Sequence, residues 1–246
     1  MTTSSGQCKG LSGKWVLVTG ASRGIGQVVS AGYAAAGACL VLVARNQQQL
    51  QETAQLCMAA GAEEVETYAA DLSSTDNIKT LVTKIQSKHP YIYGLVNNAG
   101  FVPAMNNMGP VVSDVAEWQT CLQVNVMAPM YLTGLLVPAM KKAAGGLIVN
   151  IGSVAAIDGK GPLVAYGTTK HAIRGWSMYC KQHLSKDNIK VVLINPGLVA
   201  TDFSKPLGID ARMMLQPQDI VEAALLPLRM SAQAVPTEVT VLPLQL

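Results

Sequence analysis

Thr19-Gly20-Ala21-Ser22-Arg23-Gly24-Ile25-Gly26 follows the apolar run Trp15-Val16-Leu17-Val18 and leads straight into a segment, 27–36, with helical character. Strand, glycine turn and helix in that order make a phosphate-binding turn. Gly20 lets the chain turn sharply, Gly24 lets backbone N–H groups approach a pyrophosphate, and Gly26 lets helix and strand pack closely. The helix amino terminus supplies partial positive charge. The spacing is GxxxGxG rather than GxGxxG, so the agreement is in the physics of the turn, which an ordinary strand-to-helix connection shares in part.

Outward from this turn, apolar runs bounded by glycine or asparagine alternate with longer polar-containing segments. Candidate strands fall at 15–19, 38–43, 65–69, 92–97, 146–151, 190–195 and 238–242, and candidate helices at 24–36, 47–60, 75–89, 115–143, 164–184 and 217–230. Several of the strands read as Val, Leu and Ile without polar alternation, as strands buried on both faces do. The alternation predicts an α/β fold: a doubly wound parallel sheet of about seven strands with helices on both faces. With 246 residues and no composition break, linker or repeat, one dinucleotide-binding and catalytic domain over 1–246 is expected, with 1–12 as a flexible tail. The segments 115–143 and 164–184 carry apolar residues on more than one face. Packing between copies in a homodimer or homotetramer explains that excess, and so does a helix held between sheet and loop.

Composition narrows the functional classes. The charged share is 13%, about half the usual ~25%, and 18 basic against 15 acidic residues give only +3, without a charged block. Nucleic acid is therefore not an expected partner. The longest uninterrupted apolar run, 34–44, is well short of the ~20 residues that cross a bilayer, so it reads as core and no membrane is expected. The first residues contain no apolar segment of a secretory signal, so a cytoplasmic chain is expected. Cys8, Cys39, Cys57, Cys121 and Cys180 are odd in number, widely spaced and never in CxxC. With only His89, His171 and His183 beside them, neither a disulfide framework nor a metal site is expected.

Two features point to chemistry. Tyr166 and Lys170 are four apart in a helical segment and so share a face, where an ammonium would favour the phenolate of a group whose ordinary pKa is about 10. Ser153 stands at the end of the fifth strand, and carboxyl ends of parallel strands are where ligands bind. Its hydroxyl could hold a carbonyl oxygen while Tyr166 supplies a proton. After the second strand, where an NAD-binding fold offers a carboxylate to the ribose 2′-hydroxyl, the chain has Ala44-Arg45, which suits a 2′-phosphate instead.

From about Ser12 onward the chain resembles the short-chain dehydrogenase/reductase family. The resemblance rests on TGASRGIG at 19–26, Asp71-Leu72, Asn97-Asn98-Ala99-Gly100, Asn125, Ser153, Tyr166-Gly167-Thr168-Thr169-Lys170 and Asn195-Pro196-Gly197, all in the family's order and spacing. It implies a Rossmann-type fold and an oxidoreductase that moves hydride between a nicotinamide cofactor and a ketone, aldehyde or secondary alcohol. It implies Asn125, Ser153, Tyr166 and Lys170 as the catalytic tetrad, with Asn125 distorting its helix and holding a water that links Lys170 to solvent. It implies a cofactor site made of Gly20, Ser22, Arg23, Gly24, Ile25, Gly26, Arg45, Asp71, Leu72, Asn98, Ala99, Gly100, Tyr166, Lys170, Pro196, Gly197, Val199 and Thr201. Ala44 stands where NAD-using relatives carry Asp, and the pair Arg23 and Arg45 implies NADPH.

The substrate is expected under 199–216 and beside 101–110 and 154–163. There Met105, Met108, Met213 and Met214 suit an adaptable apolar pocket or simply fill gaps, and His171 is expected on the outer side of its helix. A carbonyl reductase for a small ketone is the expected activity, β-ketoacyl thioester reduction the alternative, and a catalytically idle NADPH-binding sensor the reading from another class. Many relatives continue into a Gly-rich segment after the last strand. This chain reads Pro-Thr-Glu-Val-Thr-Val-Leu-Pro-Leu-Gln-Leu over 236–246 instead, so a tetramer built through such a tail is not implied.

Overall fold

The computed structural model describes residues 10–103, 114–158, 163–205 and 208–244. Its strands are β1 (Trp15–Thr19), β2 (Cys39–Ala44), β3 (Val65–Ala69), β4 (Gly94–Asn97), β5 (Gly146–Ile151), β6 (Ile189–Pro196) and β7 (Glu238–Val241). The helices are α1 (Gly24–Ala35), α2 (Gln47–Ala60), α3 (Thr75–Lys88), α4 (Val115–Leu122), α5 (Ala128–Lys142), α6 (Val164–Leu184) and α7 (Pro217–Arg229). All neighbouring strands pair in parallel, in the order β3-β2-β1-β4-β5-β6-β7. This is the expected doubly wound sheet. The order reverses between β1 and β4, and the crevice outside their carboxyl ends is where such sheets bind ligands.

The strands lack polar alternation because each is covered on both sides. Val16 and Val18 of β1 and Leu40 and Leu42 of β2 face one core with Val29 and Tyr33 of α1 and Ile220 and Val221 of α7. Leu17, Val41 and Val43 face a second core with Ile78 and Ile85 of α3 and Leu132, Leu136 and Met140 of α5. Helix ends follow from local chemistry: Asn46 accepts from the Gln49 N–H at 3.1 Å, Gly61 closes α2 at φ 110°, and Gln216 with Asp219 forms a capping box on α7.

Three expectations are corrected. The tail is not free as far as residue 12, because Leu11 is fully buried and its N–H donates to the Ala36 carbonyl at 3.3 Å; residues 1–9 lie outside the described residues. The helix expected over 115–143 is interrupted by a π turn, Gln123–Met127, between α4 and α5. Together these elements, Val115–Lys142, form one helix long and apolar enough by length and composition to cross a bilayer, which inspection of uninterrupted apolar runs did not find. Ala128, Leu132, Leu136 and Met140 along it are buried in the second core, against the sheet and α3. The fourth strand begins at Gly94 rather than 92, where pairing with Val16 starts.

Candidate active site

The glycine turn sits at the carboxyl end of β1. Gly20 has φ +64°, and a Cβ there would come within 2.9 Å of the Ala99 backbone; a Cβ on Gly26 would collide with the Gly20 carbonyl oxygen. Neither position tolerates a side chain without moving backbone. Thr19 and Asn98 stitch the turn to β4: Asn98 Nδ2 donates to the Thr19 and Gly20 carbonyls at 2.9 and 3.2 Å, and Thr19 Oγ1 accepts from the N–H groups of Asn98 and Ala99. The Asn98 side chain is thus turned inward, against the glycine turn. Asn97 ties strands, donating to Asn150 Oδ1 at 2.8 Å.

Helix α1 begins after Arg23 with no side-chain cap and no acidic residue in its first turn. An uncapped twelve-residue helix amino terminus walled by glycines fits a phosphate. Ser22 and Ile25 are part-buried and Arg23 is exposed beside this end. Arg45, at the exposed end of β2, follows Ala44, which is buried. Asp71 accepts from the Ser73 N–H at 2.9 Å while Ser74, not Asp71, caps α3; Leu72 is buried in the second core.

At the next strand ends lie the residues expected to react. Ser153 follows β5, and its Oγ accepts from the Ala155 N–H at 3.1 Å and acts on the nearby Tyr166 phenol, favouring its ionised form. Lys170 is buried one turn beyond Tyr166 on α6. Its Nζ donates to the Ile151 carbonyl at 2.7 Å and lies 5.3 Å from the Tyr166 ring centroid. The expected lowering of the Tyr166 pKa is not what this geometry gives. Burial pushes the phenol up to about 12, outweighing the effect of Ser153, and burial pushes Lys170 down to about 8. The ammonium is committed to the Ile151 carbonyl rather than to the phenol oxygen.

Asn125 lies buried at the centre of the π turn, the helix distortion expected of it. Its Oδ1 accepts from the Phe101 N–H at 2.7 Å. Its Nδ2 donates to the Phe101 carbonyl at 2.8 Å, to Thr169 Oγ1 at 3.0 Å and to Cys121 Sγ at 3.3 Å. Thr169 in turn donates to the Tyr166 carbonyl at 2.7 Å. One amide therefore joins the segment after β4, the π turn and the helix bearing Tyr166 and Lys170. Sequence reading did not find Cys121, Thr169 or the Phe101 backbone. The one available sign was that Cys121 precedes Asn125 by one helical turn.

At the end of β6 Pro196 is buried, and the N–H of the next residue, Gly197, donates to the Val241 carbonyl at 2.8 Å. Val199 bridges Leu215, and Thr201 Cγ2 lies 3.5 Å from where a Gly24 Cβ would be, so this loop abuts the glycine turn. Phe203, also missed from sequence, has its ring 6.1 Å from that of Tyr166 and is 57% exposed, an apolar side chain beside the phenol. Lys205 pairs with Asp202 and Arg212 with Asp210, so the loop's cations are already compensated. Met214 is buried and Met213 exposed; Met105 and Met108, with the parts of the expected pocket at 104–110 and 159–162, lie outside the described residues. His171 is exposed, as expected, with Nδ1 2.9 Å from the Gly167 carbonyl oxygen.

A buried ammonium is a cost, and its sign gives a prediction. The folded-state pKa of Lys170, about 8, lies below its ordinary 10.5. At pH 7 Lys170 is charged in both states and the penalty is at its full size. As pH rises from 8 to 10.5 the unfolded chain holds more protons, so stability increases over that window. The shift corresponds to about 3 kcal/mol, less about 1 kcal/mol for the hydrogen bond to Ile151. Lys170→Met should therefore raise the Tm of the cofactor-free protein at pH 7 by about 4–8 °C, with parent and variant converging towards pH 10. A variant that melts at or below the parent at pH 7 contradicts this.

Known proteins resemble the chain over most of its length. Residues 14–211 match the family described as short chain dehydrogenase. An uncharacterised oxidoreductase of Staphylococcus saprophyticus is 31% identical over 95% of this chain and 98% of its own length. Dehydrogenase/reductase SDR family member 4 of Caenorhabditis elegans is 35% identical over 89% of this chain and 84% of its own. Among solved structures, a metagenomic short-chain oxidoreductase in complex with NADP superposes with a TM-score of 0.82 at 32% identity, over 95% of this chain and 99% of that one.

Proposed function

This chain belongs to the short-chain dehydrogenase/reductase family, and from that premise we propose that it is an NADPH-dependent carbonyl reductase acting on a small, largely uncharged ketone or aldehyde. The observation that carries the reading is the meeting of Ser153, at the carboxyl end of β5, with Tyr166 and the buried Lys170, whose Nζ donates to the Ile151 carbonyl of the same strand and lies 5.3 Å from the Tyr166 ring. The compensated cations of the 199–216 loop and the exposed Phe203 ring beside Tyr166 favour an apolar, uncharged substrate over an anionic one.

NADPH, when bound, supplies hydride from C4 of its nicotinamide. The chain's residues do the rest. The α1 amino terminus and the glycine turn hold the pyrophosphate, and Arg23 and Arg45 hold the 2′-phosphate. Asn98, Ala99 and Gly100 offer backbone to the adenosine half; Asp71 and Leu72 border the adenine; Pro196, Gly197, Val199 and Thr201 line the nicotinamide end. Ser153 donates to the carbonyl oxygen, Tyr166 Oη gives it a proton, and Lys170 holds the nicotinamide ribose and restores that proton. Asn125, through the π turn, keeps the path from Lys170 to solvent open.

We place the enzyme in the cytoplasm, as one catalytic unit per chain, working as a homodimer or homotetramer. Leu122, Met127 and Met130 along the α4–α5 helix and Met178 and Tyr179 on α6 are exposed. They form the apolar faces such an assembly covers; a single 25.9 kDa species in analytical ultracentrifugation at micromolar concentration overturns that assignment. The test of function is NADPH oxidation at 340 nm against ketones, aldehydes, quinones and β-ketoacyl thioesters. Turnover of ketones or aldehydes is the expected result. Turnover of the thioesters alone replaces the reading with acyl thioester reduction, and NADPH binding without any turnover moves it to a sensor.

A further inference from the structure

The last strand holds a side chain with no part in the site described so far. Glu238 opens β7, an edge strand of four residues with β6 as its only neighbour among the described residues. Its carboxylate accepts from Asn195 Nδ2 at 2.7 Å and from Arg174 Nε and Nη2 at 2.7 and 3.3 Å. Arg174 is one turn beyond Lys170 on α6. Asn195 is fully buried and immediately precedes Pro196-Gly197. Its Oδ1 accepts no hydrogen bond among the described residues and lies where a side chain on Gly152 would collide with it, directly behind Ser153.

The same strand grips Gly197. The Gly197 N–H donates to the Val241 carbonyl at 2.8 Å, and a Cβ on Gly197 would meet Pro243 Cδ at 2.9 Å and Leu242 Cδ2 at 3.4 Å. The loop after β6 is thus held from behind at Asn195 by a side chain and at Gly197 by backbone and tail. A short edge strand is where local opening begins. The charge-assisted pair with Arg174 and the bond to Asn195 fix β7 against both the catalytic helix and the loop.

We propose that Glu238, with the Leu242-Pro243 turn behind it, is a positioning residue for the nicotinamide end of the cofactor site. It sets the Pro196-Gly197 loop relative to Ser153 and to the helix carrying Tyr166 and Lys170. This rests on the reading above that the loop lines the nicotinamide half while the glycine turn and Arg45 take the adenosine half. The two halves make the test. Affinities for NADPH and for 2′,5′-ADP, which has the adenosine half alone, are measured by calorimetry for parent, Glu238→Ala and Glu238→Gln.

Glu238→Ala is expected to weaken NADPH about tenfold while leaving 2′,5′-ADP within twofold. Glu238→Gln, which keeps an acceptor for Asn195 and Arg174, is expected to restore NADPH to within threefold of the parent. Equal weakening of both ligands means general loosening and overturns the proposal, as does unchanged NADPH affinity in Glu238→Ala. Should that variant fail to fold, Pro243→Gly, a part-exposed change behind Gly197, carries the same test with an expected threefold loss for NADPH only; no loss overturns it. A parent that binds NADPH no more tightly than 2′,5′-ADP fails at the cofactor reading itself and takes the proposal with it.

Discussion

Tyr166→Phe should lower kcat for carbonyl reduction by at least 100-fold while NADPH affinity stays within about threefold of the parent. The substitution removes one oxygen and little else. The ring that packs 6.1 Å from Phe203 remains, and the α6 backbone is held by bonds that do not use the phenol: Lys170 to the Ile151 carbonyl, and Thr169 to the Tyr166 carbonyl and Asn125. What disappears is the phenol oxygen, the proposed proton donor beside Ser153. Positioned general acid catalysis contributes about 10²–10⁴-fold, so residual turnover above about one percent contradicts the role of Tyr166.

The position of the Tyr166 pKa adds a directional consequence. Burial holds the phenol near 12, so near neutral pH it carries the proton that carbonyl reduction consumes. Alcohol oxidation needs the phenolate, the form burial disfavours. Reduction should accordingly lose little rate from Tyr166 ionisation between pH 6 and about 8, whereas oxidation should rise with pH. Steady-state pH profiles in both directions measure this. An oxidation rate flat from pH 6 to about 10 would show that the proton is taken up elsewhere.

Much of this architecture is legible in the sequence because the sheet is buried on both faces. Leu40 through Val43 read as strand whichever core each faces, and only a parallel sheet with helices on two sides makes so long an apolar run sensible. The break in the long helix is less legible. Helical periodicity is the same on either side of Gln123–Met127, and the cause of the distortion is an amide clamping the Phe101 backbone 24 residues away. The site divides along the same line. The motifs carry Ser153, Tyr166 and Lys170 because their spacing along one chain segment is part of their chemistry. Thr169, Phe203 and Glu238 acquire meaning only when distant segments meet, as when Glu238 reaches Asn195 across 43 positions. The phenol pKa is illegible for a related reason: spacing puts an ammonium near Tyr166 but does not show that the ammonium is bonded to Ile151.

Ala44→Asp with Arg45→Val should reverse the cofactor preference. Ala44 ends β2 at the edge of the crevice, paired with Ala69 of β3, and Arg45 follows on the exposed surface. On the proposed reading a 2′-phosphate would meet the Arg45 guanidinium in the parent; charge-assisted hydrogen bonds of this kind contribute about 1.5–3 kcal/mol. In the variant that contribution is lost and the new carboxylate repels the phosphate, while offering an acceptor to the 2′- and 3′-hydroxyls of NADH. The two effects act in the same direction on the ratio. The kcat/KM ratio of NADPH to NADH should therefore fall about 10²- to 10³-fold, most of it through KM for NADPH, since the proposed site puts the reacting end of the cofactor at Ser153, Tyr166 and Gly197, not at β2. Arg23 remains, so NADPH binding should weaken without vanishing, and the residual preference should shrink further as salt rises. An unchanged ratio would mean that the 2′-phosphate is not read at the end of β2 and would remove the basis for assigning NADPH to this chain from Ala44 and Arg45.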